Sequence, residues 1–554
     1  MTIRHQLQQA VVKRVRERWP ELADPPAVVI EPPRDSRHGD YATNVALQLA
    51  PALKRPPLDI AQEIADGLMK PSLGTVEVAA PGFVNIRLAS DTLKRVPAAI
   101  LREGKQYGTG DAGKGARVHV EFISANPTGP LHLGNGRGAF LGDVTSNLLS
   151  AAGYKVWREY YVNDIGKQVE TLAESVVRKY FIRQGIVMEY PDHLYQGGYV
   201  EELAVKLKLD GAKADMRKLR RRVQSRVLNL MLADIKKLVE KRLGVRYDRW
   251  FRESELYAQK LDAHILAKLR HDGLVEVRDG AVWMKTTQFG DDKDRVLVKA
   301  NGEQTYFLSD VAYVNDKFNR RTFDRAIIFL GADHHGYVGR LKAAAAALGH
   351  PGALQAIIMQ LVRLIRDGQE VRMSKRAGNF VTLDELVDWV GPDVARFFFL
   401  MHAADTHMDF DLNLAKERSE KNPVFYVQYA HARICSVVRK VEGLLHEKKG
   451  VGRRAQGAGK VKMVRGMFGE PEAKLARVLL RYPDVVEDAA AALAPQQLPF
   501  FALDLARAFH DYYDRARIIE GETVNQTRLT LLEATRQVLQ NCLSLMGVSA
   551  PEKM

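Results

Sequence analysis

The sequence predicts an α/β protein centred on a doubly wound parallel sheet, with an α+β N-terminal domain and an all-α C-terminal bundle. Three observations carry that expectation. Two β-loop-α-β patterns stand in order along the middle of the chain, at residues 116–162 and 325–365. Parallel neighbours need a crossover, and a helix supplies it. From about residue 385 apolar residues recur at helical spacing to the end.

Residues 1–112 read as one unit. A helical start leads to a Pro-rich strand and turn, VVIEPPRDSRHGDY, then to helices in ATNVALQLAPAL and LDIAQEIADGL. VEVAAPGFVNIRL alternates like a strand pair turning at Pro81-Gly82. The Gly-rich YGTGDAGKG marks a boundary. Residues 113–385 then form the central domain. RVHVEFIS reads as its first strand, a helix is expected from about Ala139 to Ala152, and YKVWREYYV reads as the next strand. The second half has a strand at Arg325–Leu330, an Ala-rich helix, a strand through LQAIIMQLVRLI and a turn at Asp367-Gly368. Between the halves, roughly 186–290 reads as a helical, basic insertion. Residues 386–420 are expected to be a connecting helical segment and 421–554 a helical domain. The Gly-rich basic run 450–460 reads as a loop, either brushing RNA or simply solvated.

With 554 residues, several domains are expected. A formal charge of +15 fits a polyanionic partner, because Lys and Arg that meet phosphates release counterions; a solvated basic surface explains it equally well. No apolar run is long enough to span a bilayer. The basic start resembles a transit peptide only in part, since Glu17 and Glu21 intrude, and a mature N-terminus is expected. Two cysteines, Cys435 and Cys542, make neither a disulfide framework nor a zinc site. A cytoplasmic monomer with no structural zinc and no membrane attachment is the expectation.

The first chemical segment runs Ala125, Asn126, Pro127, Thr128, Gly129, Pro130, Leu131, His132, Leu133, Gly134, Asn135. Pro and Gly hold such a loop tight and let backbone approach a phosphate. The helix that follows offers free N–H groups and its positive end to an anion. His132 and Asn135 are three apart and project to one side of a helical turn, where both can donate to an α-phosphate during displacement. Two duller readings stand beside this one. A lone His after a strand is commonly structural. Gly134, Gly136 and Gly138 also imitate a dinucleotide fingerprint, with Glu159 as its acid, but the spacing is G-x-G-x-G. EFISANPTGPLHLGNGRGA resembles the HIGH region of class I aminoacyl-tRNA synthetases, in the form seen in bacterial arginyl-tRNA synthetases. Asn135 stands where that family has its second His, which suits positioning and not a cationic role.

The second segment is VRMSKRAGN, residues 371–379, resembling the KMSKS signature with Arg372 in place of the first Lys. Met373, Ser374 and Lys375 suit a loop that closes on the β- and γ-phosphates of ATP. Alone the run is weak; in order after the first segment it is specific.

The resemblance covers nearly the full length, least at 445–468, and implies a class I, Rossmann-type core that charges tRNA(Arg) with arginine, using ATP with Mg²⁺. Arginine is a planar fork of five donors, so its site needs acids set for a fork. Such a site rejects lysine without editing, and no editing domain is seen. Tyr306 and Asp310 are four apart and share a helix face. By the resemblance, Glu121 and Asp310 bind the guanidinium and Tyr306 walls the pocket. Ser124, Asn126 and His132 hold the amino-acid backbone, and His334 touches substrate. A helix cap for Asp310, a core aromatic for Tyr306 and a metal role for His334-His335 are the alternatives. The resemblance further implies contact of the N-terminal domain with the tRNA elbow and of the C-terminal bundle with the anticodon, through Tyr426, Tyr429 and Arg433. It also implies that the final Met packs back onto the bundle. A cysteine-specific relative and a catalytically dead tRNA-binding homologue remain the competing readings.

Overall fold

The computed structural model describes residues 2–33, 35–68, 73–207, 216–371, 381–446 and 462–554. At the N-terminus, the hydroxyl of Thr2 accepts the backbone N–H of His5 and starts the helix Ile3–Arg18, which buries Leu7, Val11 and Val15. The strands Gly74–Ala79 and Phe83–Leu88 pair antiparallel around the Pro81-Gly82 turn, and Tyr41–Thr43 joins as a third strand. The helices Val45–Leu53 and Pro57–Ala65 pack on this sheet and close an α+β unit.

The central sheet has five parallel strands in the spatial order Leu354–Met359, Arg325–Gly331, Arg117–Glu121, Lys155–Val162, Arg249–Arg252. The opening strands of the two halves are therefore neighbours. Crossovers leave that point in opposite directions, so a crevice opens at the carboxyl ends of Arg117–Glu121 and Arg325–Gly331.

The structure corrects several details. The first central helix is Leu133–Ala151, six residues longer at its start than expected. Its glycines lower helix propensity, but close packing outweighs that: a Cβ on Gly142 would lie 2.2 Å from Phe122, and one on Gly136 2.7 Å from Leu383. The contact at Gly136 also gives one of the glycines that imitated a dinucleotide motif a packing role instead. The stretch 186–290 is not a pure insertion. It is helical in Tyr199–Lys206 and Met216–Lys236, but it also holds the edge strand of the central sheet, Arg249–Arg252. The run 354–365 is two strands, not one. It breaks at Gln360-Leu361, and Val362–Arg366 joins a separate sheet with Met408–Asp411 and Gln369–Glu370. Buried Arg137 holds the break by donating to Gln360 O at 2.8 Å. The segment 386–420 thus carries a strand as well as helices. The C-terminal domain is a helical bundle with one small three-stranded sheet, made of Lys462–Val464, Thr523–Asn525 and Ile519–Glu520.

Arg396 ties the parts together from the interior. It reaches Asp143 on the first central helix at 2.5 Å, Leu243 O at 2.8 Å and Met546 O, at the end of the last helix, at 3.0 Å. The N-terminal domain is pinned to the C-terminal bundle by Arg4, which meets Asp488, Glu487 and Asp484, and by Tyr41, whose hydroxyl donates to Asp484 at 2.8 Å. Met554, expected to pack onto the bundle, is 57% exposed. Backbone carbonyls anchor the tail instead, Pro551 O on His431 and Glu552 O on Arg439.

Candidate active site

A cavity of about 1170 Å³ opens at the sheet's switch point. Its lining includes Glu121, Ser124, Asn126, His132, Gly134 and Asn135 from the first half, with Tyr306, Asp310 and His334 from the second. Ala125, Thr128, Gly129, Pro130, Leu131 and Leu133 also reach it; Pro127 is buried beside it and does not.

His132 caps the helix Leu133–Ala151. Its Nδ1 accepts the Gly134 N–H at 3.1 Å, and its own N–H donates to Asn135 Oδ1 at 3.0 Å. An Nδ1 that accepts leaves the ring proton on Nε2, the tautomer that can donate to a phosphate. Asn135 spends its carbonyl on the cap, so its amide N–H groups are the part that can serve a ligand. Leu131 O accepts the Leu383 N–H at 2.8 Å, and His132 forms a β-bridge with Thr382. Arg372, Met373, Ser374 and Lys375 lie outside the described residues, yet the chain that follows them is thereby tied to the nucleotide loop.

At the end of the strand Arg117–Glu121, Ile123 and Ser124 take φ of 64° and 42°. Two consecutive left-handed residues, one β-branched, are strained and are held only where surroundings over-determine them. Here Ser124 Oγ accepts the Tyr161 N–H at 3.1 Å and donates to Glu121 at 3.4 Å. Asn126 is fixed between Gln168 and Asn163, at 2.8 and 2.9 Å.

Tyr306 and Asp310 stand on the helix Tyr306–Asn315. Tyr306 is 74% exposed, so it is no core aromatic, and Asp310 sits inside the helix and caps nothing. Protein encloses the Asp310 carboxyl except on its cavity side. Burial, then the charge of Glu121, push it up to about 7, against the opposing pull of Arg340 and Lys317. His334 lies on the turn Ala332–Tyr337, edge-on to Tyr337 and 3.6 Å from Asp333. Among the described residues no three His, Cys, Asp or Glu side chains converge on a metal position.

Two buried charged residues of this cavity escaped the sequence reading. Glu253, just past the edge strand, is buried and pushed up to about 7 by burial and by Asp310 and Asp164. Lys317, just past the pocket helix, is buried with its Nζ 2.6 Å from Glu121 Oε2.

Three family models match the chain: "Arginyl tRNA synthetase N terminal domain" over residues 1–88, "tRNA synthetases class I (R), catalytic domain" over 95–394 and "DALR anticodon binding domain" over 427–554. The chain is 44% identical to the arginine--tRNA ligase of Syntrophotalea carbinolica, over 96% of this chain and 95% of that one. It belongs to the arginyl-tRNA synthetase family. With the arginine--tRNA ligase of Geobacillus kaustophilus it shares 43% identity over 100% of this chain and 98% of the relative. Among solved structures, the putative arginyl-tRNA synthetase of Campylobacter jejuni matches with TM-score 0.74 at 30% identity, covering 84% of this chain and 100% of that one. The Thermus thermophilus arginyl-tRNA synthetase shares the fold at full coverage of both chains, with TM-score 0.77 at 23% identity.

Outside the cavity lining, Tyr426, Tyr429 and Arg433 share one face of the synthetase's helix Pro423–His446. Tyr429 stacks at 6.0 Å on His510, Tyr426 lies 5.0 Å from the same ring, and Arg433 covers Tyr513. Tyr429 and Arg433 are exposed, which leaves an aromatic and cationic face open to solvent. Among the described residues no helix is long and apolar enough to cross a membrane.

Proposed function

We propose that this enzyme, an arginine--tRNA ligase, carries out both steps of its reaction at the switch-point cavity. A carboxylate oxygen of arginine attacks the α-phosphorus of ATP, the bond to the β-phosphate breaks and pyrophosphate leaves. A hydroxyl at the 3′ end of tRNA(Arg) then attacks the arginyl carbonyl and releases AMP. No protein nucleophile is required; orientation and charge stabilisation carry the rate. His132 and the amides of Asn135 and Gly134 serve the α-phosphate, while Ser374 and Lys375 serve the departing pyrophosphate. Mg²⁺ would enter with the triphosphate and would supply charge neutralisation on the phosphate oxygens. Asp310 and Glu253 receive the guanidinium, Tyr306 forms the outer wall, and Ser124, Asn126 and His334 hold the α-amino and carboxylate ends. Glu121 is already engaged by Lys317 and contributes from behind.

The observation that carries this reading is the meeting of two protonation-prone carboxylates, buried Glu253 and part-buried Asp310, with a capped helix N-terminus in one cavity. Acids of that kind await a cation, and a helix start of that kind awaits an anion. The open aromatic face of the C-terminal bundle suits unpaired bases of an anticodon, and the N-terminal domain suits the tRNA elbow. We place the enzyme in the cytoplasm as a monomer. Pyrophosphate exchange, run with arginine and with cysteine, each with and without tRNA, tests the reading. Exchange with arginine is expected. Exchange with cysteine, or silence in every mixture with tRNA binding retained, would overturn it.

A further inference from the structure

The cavity has a corner built for an ammonium group, and the chain fills it with its own. Lys317 sits on the turn of π-helix Asp316–Arg320 that ends the pocket helix. Its Nζ lies 2.6 Å from Glu121 Oε2 and 3.9 Å from the centre of the Tyr313 ring. A carboxylate on one side and an aromatic face on the other is the pairing that holds a primary amine, through a charge-assisted hydrogen bond and a cation–π contact. All three residues line the cavity. The corner is also rigid. The Tyr313 hydroxyl donates to Glu159 at 2.5 Å, and Glu159 is gripped by both terminal nitrogens of Arg321, at 2.5 and 2.9 Å. Phe251 stacks against Tyr313 at 4.6 Å. By contrast, the carboxylates of Asp310 and Glu253 accept no hydrogen bond from a described residue and remain for the ligand.

We propose that Lys317 is a specificity-determining residue that occupies the ammonium-complementary corner, so that free lysine finds it taken and a guanidinium meets the acids left open. The inference rests on the assignment of this cavity to arginine. A point-like ammonium has three donors and cannot serve two separated carboxylates as a planar fork does. Its natural seat here is the Glu121–Tyr313 corner. Removing the Lys317 amine empties that seat and leaves a buried carboxylate with an unmet need for a cation, which a lysine substrate can then supply.

The experiment measures pyrophosphate exchange by the full chain with tRNA present, varying arginine and lysine separately, for the parent, K317A, K317Q and D310N. K317A is expected to lower the arginine-over-lysine ratio of kcat/KM by at least about tenfold, through a gain of lysine exchange and not only a loss with arginine. Added methylammonium, which refills the corner, is expected to restore much of the ratio. Should K317A not fold, K317Q keeps a donor toward Glu121 without the charge and is expected to lower the ratio at least about threefold. A residue that is merely structural would weaken both substrates together and would not respond to methylammonium. The proposal is overturned if folded K317A or K317Q holds the parent ratio, or loses arginine exchange with no gain for lysine. D310N separates the two levels: an unchanged arginine KM in D310N sinks the assignment of the cavity itself. A raised KM there, with an unmoved ratio in K317A, sinks only the role of Lys317.

Discussion

The affinity of the ligand-free enzyme for arginine should rise steeply between pH 6 and pH 8. Asp310 and Glu253 are both held at about 7, because burial and their acidic neighbours disfavour the charged form. A bound guanidinium reverses that preference, and it stays protonated at any pH used. Arginine therefore binds the doubly ionised pocket and expels whatever protons it finds there. A single carboxyl at 7 weakens binding about 11-fold at pH 6 and about 1.1-fold at pH 8, so it contributes about tenfold across the interval. Two independent carboxyls would contribute about a hundredfold, and because Asp310 itself raises Glu253 the measured change should fall between these limits. Glu253→Gln removes one proton and should reduce the change to about tenfold or less. The stability of the empty fold runs the other way. A folded pKa above the unfolded one means stability is lost as pH climbs from about 4 through about 7, so stabilisation by arginine should grow over that window. Calorimetric titration at pH 6, 7 and 8, in two buffers of different ionisation enthalpy, gives both the Kd and the number of protons released. A Kd constant within about threefold, with no proton release, would refute the reasoning, since a tenfold span is its minimum.

Other expectations concern single side chains. Asp310→Asn removes a buried charge from a desolvated pair and should raise the KM for arginine by about a hundredfold while moving that for ATP little; equal effects on both would count against the pocket. Lys375→Ala should slow pyrophosphate exchange about a hundredfold at unchanged arginine affinity, because a cation on the departing phosphates acts mainly in the transition state; an unaltered rate would remove its phosphate role. Tyr429→Ala should raise the KM for tRNA about 5- to 100-fold, the worth of one stacked base, without touching either small substrate; a normal tRNA KM would show that the exposed ring meets no base. Arg396→Ala strands Asp143 in the interior and should destabilise the protein by about 3–5 kcal/mol, read as a lowered thermal midpoint. An unshifted midpoint would mean that the three-way junction contributes nothing.

What was legible in the sequence was whatever chemistry writes locally. The run from Ala125 to Asn135 and the spacing of Tyr306 and Asp310 are short patterns, and the fold collects their residues around one cavity. Glu253 and Lys317 were not legible because nothing near them in the chain announces a site. Glu253 stands in a basic, mostly helical stretch. It reaches the cavity because Arg249–Arg252 pairs with Glu159–Val162 at the sheet edge, a long-range event. The aromatic run YDRWF before it was the available signal, since a strand fits those residues better than a solvated helix does. Lys317, in NDKFNRR, has the look of a solvated helix end; the π-helical turn draws it inward. The early helix start was hidden for the opposite reason. Local propensity in LGNGRG argues against a helix, and only the contacts of Gly136 and Gly142 with Leu383 and Phe122 make the glycines an advantage.

The distribution of charge explains why the acids sit so deep. The chain carries a formal +15, a field that draws ATP and tRNA inward and repels a cationic amino acid. At physiological ionic strength that field fades over about 8 Å, so a substrate that has entered the cavity feels the local carboxylates and little of the surface. Local acids must then overcome the repulsion and still leave the empty pocket stable. Three such carboxylates without counterions, two buried and one part-buried, would be ruinous. One, Glu121, is matched permanently by Lys317, while Asp310 and Glu253 tolerate vacancy by holding protons near neutrality. The charge that recognises arginine is thus called up by arginine itself, which lets a strongly basic enzyme bind a polyanion and a cation within one molecule.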